Sequence, residues 1–136
     1  MDIRILVLAA LALSNLSNAA TPCLHYNDDS VELIGTVRLQ TFFGPPNYGE
    51  DPKTDARETQ TVLVLDHPIC VSDDPKNQQS AEQDQQQITL VPLGRQQLSS
   101  YAGQRITVQG ALFHAMNGHH HTAVLLQLEH LKPAQP

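Results

Sequence analysis

An all-β domain with one short helix is the fold class that the sequence predicts, and three observations predict it. Five segments carry strand patterning, one stretch with helical spacing falls between the third and fourth of them, and turn-forming residues separate them all. That order matches a five-stranded Greek-key barrel of the OB type, with a small β-sandwich as the alternative.

The first strand is expected over residues 31–43, where apolar and polar residues alternate with β-branched enrichment from Val31 to Phe43 and Gly35 marks a bulge or bend. Residues 44–58 hold Pro45, Pro46, Gly49 and Pro52 among charged side chains. They read as a long loop, and loops of that length in small domains are usually functional or mobile. A second strand, 59–66, is almost continuously apolar, so it belongs near the centre of the sheet. His67-Pro68 interrupts it before Ile69-Cys70-Val71 resumes. Residues 72–86 are rich in Asp, Gln, Asn and Ser with almost nothing to bury, which predicts a solvated loop leaning towards disorder. A short third strand covers 87–91 and stops at Pro92. The helix is expected over 95–101, with Leu98 and Tyr101 spaced to face the core and Gly103 as its stop. Two further strands, 105–113 and 122–131, complete the set.

The N-terminus carries the signature of an exported protein. Met1-Asp2-Ile3-Arg4 precedes an apolar run too short to span a bilayer, and Ser17-Asn18-Ala19 supplies small residues before Ala20. Residues 1–19 read as a cleaved signal peptide and 20–136 as one OB-like domain, periplasmic or secreted. Lipid attachment at Cys23 is disfavoured because Thr21-Pro22 stand where a small residue would be wanted. Cys23 and Cys70, an even pair in an exported chain, are expected to form a disulfide. Closing a loop of that length stabilises a fold by about 4 kcal/mol.

Net charge −6 and the absence of tryptophan argue against a nucleic-acid partner, because phosphate binding needs clustered Lys and Arg. No second apolar segment is long enough for a membrane helix, so the processed chain is expected not to be membrane-embedded.

Several motifs resemble a bacterial exported-protein family that is a domain of unknown function. They are Cys23-Leu24-x-Tyr26, Val31-x-Leu33-x-Gly35, Phe43-Gly44-x-Pro46-Asn47-Tyr48, Leu63-x-Leu65-Asp66-x-Pro68-Ile69-Cys70-Val71, Leu112-Phe113-His114-Ala115 and Gly118-His119-His120-His121-Thr122-x-Val124-Leu125-Leu126. The resemblance covers nearly all of residues 20–136, and its last motif is specific. It implies bacterial origin, export and a compact domain, and brings no activity to transfer.

Two stretches are candidates for function. If residues 115–118 form the turn of the last hairpin, His114 and His119 oppose each other and His121 shares their face, while His120 points away. Three such imidazoles suit Zn²⁺ or Cu²⁺ with one open position, the only cofactors that the sequence suggests. Set against this, imidazoles at strand ends often serve only to hydrogen-bond backbone or carboxylates. The second candidate is the loop after the first strand, where Phe43, Pro46, Asn47 and Tyr48 offer rigid turns and aromatic contact area for a partner. Phe42 or Phe43 entering the core is the simpler alternative there. In an OB barrel these two loops flank one face, which places His120 at the same surface.

Catalytic signatures are absent: there is no Gly-x-Ser-x-Gly elbow, phosphate-cradling loop or His-Glu-x-x-His helix. Asp66-His67 and Glu129-His130 are adjacent pairs whose side chains diverge on a strand, so they read as surface or framework. The expectation is therefore a non-catalytic periplasmic binding domain, inhibitor- or immunity-like, that recognises a protein or cell-envelope component. A periplasmic metal-binding protein is the first alternative and a small metal-dependent hydrolase the second.

Overall fold

A computed structural model describes residues 20–28 and 30–136; the expected signal peptide lies outside them. The strands are β1 (Val31–Phe43), β2 (Arg57–Val71), β3 (Glu82–Pro92), β4 (Arg105–His114) and β5 (Val124–Pro133). They form a closed barrel in the order β1-β2-β3-β5-β4, with β4 pairing back onto β1. Only β3 and β5 run parallel, Thr89–Pro92 beside Leu125–Leu128; every other pair is antiparallel. The domain is therefore the five-stranded OB-like barrel that the strand order predicts.

Alternation fills the barrel. On β4, Ile106, Val108 and Leu112 point inward and are inaccessible to solvent, meeting Val37 of β1, Leu63 of β2, Ile88 of β3 and Leu126 and Leu128 of β5. Each such side chain contributes about 1.5–3 kcal/mol by leaving water. Gly35 is the residue at which β1 serves two neighbours, pairing with Ile106 of β4 and Leu65 of β2. A side chain there would strike the Val64 carbonyl, so glycine lets the strands close up without a register shift.

Cys23 and Cys70 form the expected disulfide, 47 residues apart in sequence. The bridge ties the start of the domain to the end of β2, where Leu24 N–H donates to the Cys70 carbonyl (2.8 Å) and Ser72 N–H to the Leu24 carbonyl (2.9 Å).

Four local expectations need correction. The stretch between β3 and β4 holds no α-helix; a 3-10 turn, Leu98–Tyr101, does its work, burying Leu98 and packing Tyr101 on the core. β2 is not broken at His67-Pro68, because a register shift between Val64 and Ile69 absorbs the proline. β3 starts at Glu82, inside the expected 72–86 loop: its polar first half pairs with Ile69 and Val71 through the backbone, not through burial. The rest of that loop has definite structure too, with a 3-10 turn at Pro75–Asn77 and the Asp74 carboxylate accepting from the amides of Asn27 (3.1 Å) and Asn77 (2.7 Å). Finally, the last hairpin has a longer loop than expected, since His114 pairs with Val124 and the Ala115 N–H donates to the Ala123 carbonyl (2.9 Å).

Candidate functional site

The loop between β1 and β2, residues 44–56, is built around one carboxylate. Asp55 is 7 % exposed and accepts backbone N–H bonds from Asn47 (2.8 Å), Gly49 (2.7 Å) and Asp51 (3.2 Å). Burial would raise the Asp55 carboxyl, but these donors together hold it below the ordinary carboxylate value. Further bonds from Gly44 N–H to Ala56 O (2.8 Å) and from Tyr48 N–H to Gly44 O (3.0 Å) close the loop on itself. Pro46, Asn47 and Tyr48 form its exposed tip. Tyr48 has φ 52°, the left-handed region that an aromatic residue rarely adopts. Phe43 stays at the base, half-buried, with the Arg57 guanidinium 4.0 Å above its ring centroid.

The loop between β4 and β5, residues 115–123, is held by its own polar groups. Asn117 accepts the His119 N–H on Oδ1 (2.9 Å) and the His120 N–H on its carbonyl (3.1 Å). His120 Nδ1 accepts the Met116 N–H (2.9 Å), and the ring packs edge-on against Phe113, 5.6 Å between centroids. Burial first, then the neighbouring His119 and His121, lowers the His120 pKa and favours the neutral ring that this bond requires.

The two loops meet. Glu58, two residues into β2, receives His119 Nδ1 on one oxygen (2.5 Å) and His121 Nε2 on the other (2.7 Å). The hydrogen bond from His121 is the largest influence holding Glu58 below its ordinary pKa, against the opposing effect of burial, with His119 adding to it. Phe42 stacks on His121, 4.5 Å apart and 3° from parallel. Gln60 Nε2 donates to the His119 carbonyl (2.6 Å). At the tip, Gly118 lies under the Tyr48 ring: a Cβ there would sit 2.7 Å from Tyr48 Cζ, so only glycine permits this closeness.

This arrangement brings His119 and His121 together but not His114. With the loop running to Ala123, His114 Nε2 faces Glu82 of β3 (2.7 Å), its Nδ1 faces the Ala115 carbonyl (3.1 Å), and its ring meets Tyr26 edge-on. Tyr26 is itself buried, donates to the Ser80 carbonyl (2.7 Å), and has its pKa raised to about 12 by burial and then by Glu82. The expected His114, His119, His121 ligand face is thus divided between two carboxylates, because the turn is longer than the residue spacing suggested. Among the described residues, no group of three or more His, Cys, Asp and Glu is arranged to hold a metal ion. His120, expected to face away, points back into its own loop.

Beside the meeting point runs an open groove of about 620 Å³. Thr59, Gln60 and Thr61 of β2 line it together with residues 89–92 of β3, residues 94–99, His119, His120 and Leu125.

Asp55, Glu58 and Gln60 are the important residues that sequence reasoning missed. Asp55 and Glu58 sit in a run of charges that reads as a solvated loop. Gln60 is a polar break in a strand pattern, and only its bond to the His119 carbonyl of the 115–123 loop gives it a role.

The model for Domain of unknown function (DUF4431) matches residues 85–132, a stretch that spans most of β3, all of β4, the 115–123 loop and nearly all of β5. No curated protein and no solved structure matches the chain.

Proposed function

We propose that this chain is an exported, non-catalytic binding domain, inhibitor- or immunity-like, that recognises a protein or cell-envelope component through the surface where the 44–56 and 115–123 loops meet. The observation that carries this reading is the anchoring of the 115–123 loop on Glu58, just past the end of the 44–56 loop, with Tyr48 of that loop seated over Gly118. A surface fixed in advance loses little entropy on binding. Tyr48 is 46 % exposed and Met116 75 % exposed, two large side chains on adjoining loops and of types enriched at interfaces. Export to the bacterial periplasm is supported by the leader-like residues 1–19 and by the disulfide.

The test is affinity capture from a periplasmic and envelope extract with residues 20–136 as bait, wild type beside Tyr48→Ala. A hot-spot tyrosine loses about 2 kcal/mol or more on truncation, so capture of the specific partner should fall at least roughly tenfold. Identical capture by both baits contradicts the reading.

The metal alternative has one supporting observation, the convergence of His119 and His121 on Glu58. Calorimetric titration with Zn²⁺ and Cu²⁺ decides it: affinity tighter than about 100 µM that disappears in both His119→Ala and His121→Ala favours a metal-binding protein. The hydrolase alternative needs a bound metal as well, so the same titration bears on it.

A further inference from the structure

We infer that the groove beside the two loops is a subsite for a neutral, polyhydroxylated ligand, a glycan segment, and that this is the envelope chemistry the domain recognises. The inference rests on the binding reading above and narrows it.

The lining carries the argument. Among the described residues, no carboxylate lines the groove and Arg95 is its single permanent charge. Thr59, Thr61, Gln96, Gln97 and Ser99 instead offer neutral hydroxyls and carboxamides, groups that both donate and accept. A sugar ring presents the same mixed pattern. A polyanion would need several cations here, and the chain as a whole carries net charge −6. An extended peptide is captured most readily by adding a strand to an open sheet edge, and this barrel is closed. Pro92, half-buried at the groove floor, supplies apolar surface for the C–H face of a sugar.

Gln60 adds an independent observation. Its Nε2 is committed to the His119 carbonyl, while its Oε1 is buried without any hydrogen-bond donor. A buried acceptor left unpaired is unfavourable. It belongs to a residue that lines the groove, and a turn of the carboxamide that exposed Oε1 would let a ligand hydroxyl satisfy it. The same residue touches the 115–123 loop, so glycan binding and the loop surface share a hinge point.

Amide NMR of ¹⁵N-labelled residues 20–136 tests this, with N-acetylchitotriose and maltotriose as neutral probes and dextran sulfate as the polyanion. Shifts confined to the groove, at Thr61, Gln97, Ser99 and His119, with saturation below about 10 mM of one neutral sugar, are expected. Thr61→Val and Gln97→Ala, both outside the core, should each weaken that binding roughly threefold to tenfold with otherwise unchanged spectra. Absence of groove shifts with both sugars, unchanged affinity in both variants, or tighter groove binding by dextran sulfate overturns the inference. If the sugars fail while Tyr48-dependent capture persists, the glycan inference falls and the binding reading stands. If both fail, both fall.

Discussion

Glu58 is the residue on which the site depends, because one carboxylate with two acceptor oxygens satisfies two imidazole donors from the opposite loop. Glu58→Gln keeps the shape but replaces one acceptor oxygen with a donor and removes the negative charge, so one of the two histidines must switch to the accepting tautomer or let go, and both bonds weaken. Faster amide exchange is expected across residues 115–123, by roughly tenfold, with the β4 and β5 amides unchanged; unaltered loop exchange would show that Glu58 does not hold it. His120 provides a pH-dependent signal in the same loop. Its folded pKa is lowered from 6.5, so the neutral ring's contribution is fully present above that value and is lost as pH falls through the folded pKa. The Met116 amide, which donates to His120 Nδ1, should therefore shift in NMR spectra on acidification below about pH 6.5, and a flat profile contradicts the bond. Tyr48 sits in a conformation that asparagine tolerates better. Tyr48→Asn is expected to leave stability within about 0.5 kcal/mol, relief of strain offsetting lost contact with Gly118, as measured by denaturant unfolding.

At the scale of elements, the two loops are built differently. The 44–56 loop wraps its backbone donors around Asp55, whereas the 115–123 loop relies on Asn117, His120 and its grip on Glu58. Both Asp55 and Glu58 have folded pKa values below their ordinary 3.8 and 4.5. Their contributions are present above those values and vanish as pH falls through the lowered folded ones. Acidification from about pH 4.5 downward should loosen both loops before the barrel melts, seen as loop amides losing exchange protection while β1 and β4 keep theirs; loops and barrel opening together would contradict this. The loops also show where sequence reading stops. The Phe43 to Tyr48 stretch and the histidine run were legible because aromatic, proline and imidazole residues are unusual at such density. Hairpin register was not legible: a loop of nine residues and one of four fit the same sequence, and that difference moved His114 to Glu82.

At the scale of the whole molecule, the closed barrel was readable from strand order, and the limits of β1 from its alternation alone. The start of β3 was not, since Glu82 to Gln87 pairs through backbone groups that leave no hydrophobic trace. Nor was Glu58 readable, because its partners lie 61 and 63 residues away. The disulfide was readable from an even cysteine count behind a leader-like N-terminal segment, and its removal in Cys23→Ser/Cys70→Ser should cost about 4 kcal/mol, or somewhat less, in denaturant unfolding. Leu112 at the barrel centre is inaccessible to solvent, and Leu112→Ala should cost about 2–5 kcal/mol by the same measurement. Both losses weaken the platform and not the loop surface, so a destabilised but still folded variant should bind normally.

Hydrogen–deuterium exchange of residues 20–136, alone and with the component captured from envelope extract, tests the binding surface most directly. Added protection over residues 44–56 and 115–123 and the adjoining start of β2 is the predicted result. Protection confined to the far side of the barrel, or none at the two loops, would contradict it.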